Sequence, residues 1–85
     1  MARDTKYELT ENVSATLTVR AMSSTIKVVG GYGEQTAMGW ALVISDRFLK
    51  RDIHVQLQAT DDEATLTING SGLDNLIDEC IREVL

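Results

Sequence analysis

The sequence predicts an α+β domain of order ββαββα, a four-stranded, mostly antiparallel sheet with two helices on one face. Three observations carry that expectation. Apolar and polar residues alternate over residues 7–21 and again over 53–69, the period of a half-buried strand. Each stretch is followed by one with helical spacing, and the same strand–strand–helix order occurs twice within 85 residues. That length leaves no room for a second core, so residues 1–85 are read as one small domain.

In the first half, Val13, Ala15, Leu17 and Val19 share one face, while Ser14, Thr16, Thr18 and Arg20 share the other. Ser23 and Ser24 offer a turn, and residues 25–29 (Thr-Ile-Lys-Val-Val) read as the return strand of a hairpin. Gly30, Gly31, Tyr32 and Gly33 interrupt it. From Glu34 to Lys50 the positions Ala37, Trp40/Ala41, Ile44 and Phe48 follow helical spacing. A short strand over residues 40–45 competes with that helix, because Gly39 weakens a helix interior by roughly 1 kcal/mol and Val43 and Ile44 are β-branched.

In the second half Ile53, Val55, Leu57 and Ala59 alternate with His54, Gln56, Gln58 and Thr60. Asp61, Asp62 and Glu63 supply a turn, and Ala64, Leu66 and Ile68 alternate with Thr65, Thr67 and Asn69. Ser71 stands three residues before Asp74, close to a capping box, and Leu73, Leu76/Ile77, Cys80/Ile81 and Val84 continue at helical spacing. The halves align with a shift of about 38 residues over their first strands and about 40 beyond, which places Thr25, Gly30 and Ala37 over Thr65, Gly70 and Ile77.

Composition excludes several classes of chemistry. The chain is 44% apolar and 25% charged, too apolar for disorder. One histidine, His54, and one cysteine, Cys80, cannot build a zinc site of usual composition, so no metal or other cofactor is expected. A lone cysteine forms no internal disulfide and fits a reducing compartment. The polar N-terminal residues do not resemble a secretory signal, and the longest apolar run, residues 40–44, is far short of the roughly 20 residues of a membrane span. The expectation is a soluble, cytoplasmic protein with no membrane partner. Net charge is −5, and Arg47, Lys50 and Arg51 form the only basic cluster, so direct nucleic-acid binding is not expected.

No motif carries catalysis. The glycine-rich stretch at 30–33 lacks the lysine of a phosphate-binding loop, and Glu34 puts negative charge where the anion would sit. Tyr32 on that stretch is a candidate contact residue. His54 shares a face with Gln56 and Gln58 and has no assignable nucleophile, while Cys80 falls on the apolar stripe of the last helix. The acidic turn lacks the spaced oxygen ligands and glycine of a calcium loop. No enzyme is expected.

Two surfaces remain. The last helix carries Asp74, Asp78, Glu79 and Glu83 against one Arg82, with like charges at i,i+4 that each cost a few tenths of a kcal/mol, a pattern that suits either a solvated helix face or docking of a basic protein partner. Asp61, Asp62, Glu63 and Tyr32 would extend that acidic face. The middle helix carries a second apolar stripe, Met38, Leu42 and Leu49, which suits a homodimer seam, a partner site or a deeper core of the monomer.

In size, acidity, absence of proline and lack of catalytic residues the chain resembles the small phage-encoded inhibitors of host defence, such as anti-CRISPR and anti-restriction proteins. The resemblance is one of character and carries over no residues. It implies a non-enzymatic inhibitor or adaptor that docks on a basic surface of a larger nucleic-acid-handling complex, within a bacterial host cell. The alternative expectation is a homodimeric accessory or structural subunit assembled through the middle helix.

Overall fold

The computed structural model describes residues 3–32, 35–60 and 62–85. Eight elements follow in order: β1 (Arg3–Glu8), β2 (Val13–Val19), β3 (Ser23–Tyr32), β4 (Gln35–Thr36), α1 (Ala37–Lys50), β5 (Gln56–Ala59), β6 (Glu63–Asn69) and α2 (Asp74–Arg82). The main sheet runs β1-β2-β3-β6-β5 with every neighbouring pair antiparallel, and the two-residue β4 folds back on the end of β3.

The α+β class and the antiparallel sheet with two helices match the expectation, but the sheet has five long strands where four were expected. The stretch read as one strand over residues 7–21 is a hairpin. Thr10 Oγ1 accepts from the N–H groups of Asn12 and Val13, both at 3.1 Å, and turns the chain between β1 and β2. Strand β1 hides from periodicity because Tyr7 is the only large apolar side chain in Arg-Asp-Thr-Lys-Tyr-Glu. Ser23 and Ser24 are not the next turn either. The Arg20 N–H donates to the Ser23 carbonyl at 2.9 Å, so the turn closes earlier and both serines belong to β3, with Ser24 buried opposite Ile68.

Pleating sends Tyr7, Val13, Ala15, Leu17, Ile26, Val28, Ala64, Leu66 and Ile68 to one face of the sheet. There they join Ala37, Ala41, Ile44 and Phe48 of α1 and Ile77, Cys80 and Ile81 of α2 in a single core. Each buried aliphatic of Ile81's size contributes about 1.5–3 kcal/mol relative to exposure. The opposite face carries Thr16, Thr18, Thr25, Lys27, Thr65, Thr67, Gln56 and Gln58, and among the described residues no helix lies over it.

Residues 40–45 are helical, which removes the competing strand. The four buried positions of α1 fall on one stripe, and Thr36 caps its start, its Oγ1 accepting from the Gly39 N–H at 3.1 Å. At the other end the Ile53 N–H donates to the Phe48 carbonyl (2.9 Å) and the Asp52 N–H to the Leu49 carbonyl (3.0 Å). This is a Schellman ending, and Asp52 occupies its left-handed position at φ 60°. Helix α2 departs from the expected cap: it starts after Leu73 with no side-chain capping bond, and Ser71 lies outside it. Gly72, at φ 72°, redirects the chain between Ser71 and the helix. Asp74 remains in the first turn, where it complements the helix dipole.

The internal likeness is sharper in the structure than in the sequence, and the offset is a uniform 40 residues. Leu17 pairs with Ile26 as Leu57 pairs with Leu66. The Arg20 N–H to Ser23 carbonyl bond (2.9 Å) recurs as Thr60 to Glu63 (2.8 Å). The Gly30 N–H donates to the Asp62 carbonyl (3.0 Å) as the Gly70 N–H donates to the Met22 carbonyl (2.9 Å), and both glycines have positive φ. Ile26 and Leu66 pair with each other, so a pseudo-two-fold passes between them. The expected 38-residue shift over the first strands fails because it follows the apolar pattern one pleat out of the hydrogen-bonded register.

Two backbone positions give opposite expectations. Gly30 has φ 98°, and a Cβ there would stand 2.0 Å from the Asn12 carbonyl oxygen. Gly30→Ala should therefore lower stability by more than about 1 kcal/mol. Asp52→Gly relieves the left-handed aspartate and should raise stability by up to about 1 kcal/mol. Urea denaturation of both variants checks the pair, and a neutral Gly30→Ala would contradict the close approach of Gly30 to the Asn12 carbonyl within the β2–β3 pairing.

Candidate functional site

The outer surface of α1 carries four of the seven large apolar side chains exposed among the described residues. Met38, Leu42 and Leu49 are 46%, 51% and 63% exposed, and Val43 is exposed on the other flank, next to Trp40 and Arg47. Met38, Leu42, Ser45 and Leu49 follow i, i+4, i+7, i+11 and form one stripe, roughly a quarter-turn from the buried row. Trp40 and Arg47 occupy the opposite flank. On that flank Arg51, at the C-cap, reaches α2, so the apolar stripe faces away from α2.

The four carboxylates of α2 have internal partners. Asp74 Oδ2 pairs with Arg3 Nη2 at 2.8 Å. Asp78 accepts from the Tyr7 hydroxyl on one oxygen and from Arg82 Nε, at 2.9 Å, on the other. Glu79 lies 3.4 Å from Arg51 Nη2, and Glu83 pairs with the same guanidinium. The Arg82 guanidinium also sits 5.9 Å from the centre of the Tyr7 ring. These contacts tie α2 to β1 and to the end of α1, both remote in sequence.

The acidic turn does not join that face. Glu63 begins β6 on the helix-free side of the sheet and pairs with Lys27 at 3.4 Å. Asp62 is exposed next to it, while Asp61 and the side chain of Tyr32 lie outside the described residues. A shallow cleft of about 370 Å³ between β5, β6 and the start of α2 is lined by Asp52, His54, Gln56, Thr67 and Asn69 among others. Its described lining includes neither Ser nor Cys, and Cys80 lies fully buried in the core, where burial pushes its thiol pKa up. Among the described residues no cluster of three His, Cys, Asp or Glu could hold a metal ion, and no helix is long and apolar enough to cross a membrane. The chain matches no known protein family, no curated protein and no solved structure. Its own geometry is the sole basis for assigning a function.

Tyr7 and Asp78 were missed as a pair because nothing in sequence links positions 71 residues apart. Burial, then the hydrogen bond to Asp78, pushes the Tyr7 pKa up to about 12. The same bond, followed by that from Arg82, holds Asp78 below its ordinary 3.8. The signs follow by linkage. Asp78 contributes stability above the ordinary carboxylate pKa that is lost as pH falls through its depressed folded value. The fold holds Tyr7 protonated, so stability declines as pH rises from 10.0, where the unfolded phenol ionises, toward 12. In Tyr32→Phe, which leaves Tyr7 as the only tyrosine, phenolate absorbance should rise with a midpoint near 12, and adding Asp78→Asn should lower it. A midpoint at 10.0 with unchanged circular dichroism would contradict the pairing.

Proposed function

We propose that the protein is a non-enzymatic binding protein that works as a self-assembled unit, with the apolar flank of α1 as its seam and its acidic surface turned to a basic protein partner. The observation that carries this reading is the exposure of Met38, Leu42 and Leu49 on one stripe of a well-formed helix. Clusters of this kind on small soluble domains mark association surfaces, because water contact with several adjacent apolar side chains is costly. The net charge of −5 doubles on pairing, which strengthens long-range attraction to Lys/Arg-rich surfaces. Docking of such a partner directly on α2 is the weaker arrangement, since the partner would compete with Arg3, Arg82 and Arg51 for Asp74, Asp78, Glu79 and Glu83.

Sedimentation equilibrium tests the seam. The wild-type chain should self-associate at micromolar concentrations with little dependence on salt. Leu42→Glu should weaken that association at least tenfold, about 1.4 kcal/mol, while leaving the circular dichroism of the folded chain unchanged, because Leu42 lies off the buried row. A wild type that stays monomeric at high micromolar concentration, or an association indifferent to Leu42→Glu and steeply weakened by salt, would overturn the reading.

A further inference from the structure

We infer that the partner at this seam is a second copy of the chain, joined through the free edge of β5 as well as through α1, so that two five-stranded sheets become one continuous sheet across a two-fold axis. This rests on the self-association reading above and adds the strand edge, the register and the symmetry.

The pseudo-two-fold of the fold points to the position. Offset by 40 residues, β2 corresponds to β5, and the outer edge of β2 is covered by β1. Among the described residues nothing occupies the corresponding place beside β5. The two edges also differ in chemistry. Edge strand β1 carries Arg3, Asp4, Lys6 and Glu8, charges of the kind that discourage strand addition. Edge strand β5 is Gln-Leu-Gln-Ala, without a charge or a proline, and the half-buried Val55 and Leu57 lie along it.

Hydrogen-bond parity decides which groups the edge offers. The Thr60 N–H bonds to β6 through the Glu63 carbonyl, so Gln58 and Gln56 also point their backbone groups to β6. Leu57 and Ala59 direct theirs outward. In a two-fold antiparallel pair centred on Leu57, Leu57 meets its own copy, Val55 meets Ala59 of the second copy, and Gln56 meets Gln58. Apolar side chains then face each other on the helix side and amides on the open side, with no like charges opposed.

Helix α1 reinforces the same side of the molecule. It packs over β3, β6 and β5, whereas α2 reaches β1 through Arg3 and Tyr7. The stripe of Met38, Leu42 and Leu49 faces away from α2, and so lies above the β5 edge. The helix flank alone exposes roughly a few hundred Å², less than the ~800 Å² per partner of a standard interface, and the strand edge supplies further contact and directional hydrogen bonds.

Charge substitutions on the open face of β5 test the register without touching the core. Sedimentation equilibrium of Gln56→Glu/Gln58→Glu, which opposes four carboxylates across the axis, should show dimerisation weakened at least tenfold. Gln56→Lys/Gln58→Glu, which opposes unlike charges in this register, should retain it. Ala59→Pro removes an outward N–H, leaves the bonds to β6 in place, and should also weaken the dimer. Retention of the dimer in the double glutamate and proline variants, with loss in Leu42→Glu, would overturn the strand pairing and leave the helix seam standing. A monomeric wild type would overturn both.

Discussion

The antiparallel pairing of β3 with β6 about Ile26 and Leu66 is the contact on which the rest of the structure depends. It is where the two ββα halves meet, and it sets the buried apolar strand residues of both halves on one face. Neither half could bury its apolar face alone, because a unit of about 40 residues has too little interior. Joined through the central pair, the two helices share a single core. The hydroxyl- and amide-rich face is left to water.

From that arrangement follows a division of labour between the helices. Helix α2 is held by burial of Ile77, Cys80 and Ile81, and its outer carboxylates are paired within the chain: Arg3 and Tyr7 connect it to the first strand and Arg51 to the end of α1. Helix α1 is fixed by apolar burial and by its caps, and its outer flank is left with exposed apolar side chains that no element among the described residues covers. An acidic helix that is internally neutralised and an apolar helix that is externally open reverse the emphasis that a charge count alone suggests.

The helices and the second hairpin were legible in the sequence because their periodicity is strong: Ala37, Ala41, Ile44 and Phe48 on one helix, Ile77, Cys80 and Ile81 on the other, and the alternation that places β5 and β6. Strand β5 begins only at Gln56, however, and residues 53–55, whose apolar side chains also alternate, precede it outside the strand. The exposed stripe of Met38, Leu42 and Leu49 was legible for the same reason. Strand β1 was not, since its place is set by pairing with β2 and by Tyr7 reaching Asp78, neither of which leaves a periodic trace. The acidic residues of α2 were visible as charges, but their arginine partners lie on other elements, and only the fold brings them together. The 40-residue symmetry was blurred by drift at paired positions such as Lys27 and Thr67, and the hydrogen-bonded register restores it.

The most direct test of this account is backbone hydrogen exchange measured amide by amide across a range of protein concentrations. Gln58 and Gln56, bonded to β6, should be protected at every concentration, whereas Leu57 and Ala59 should exchange freely in dilute solution and become protected as concentration rises. Free exchange at Leu57 and Ala59 at all concentrations would contradict the account.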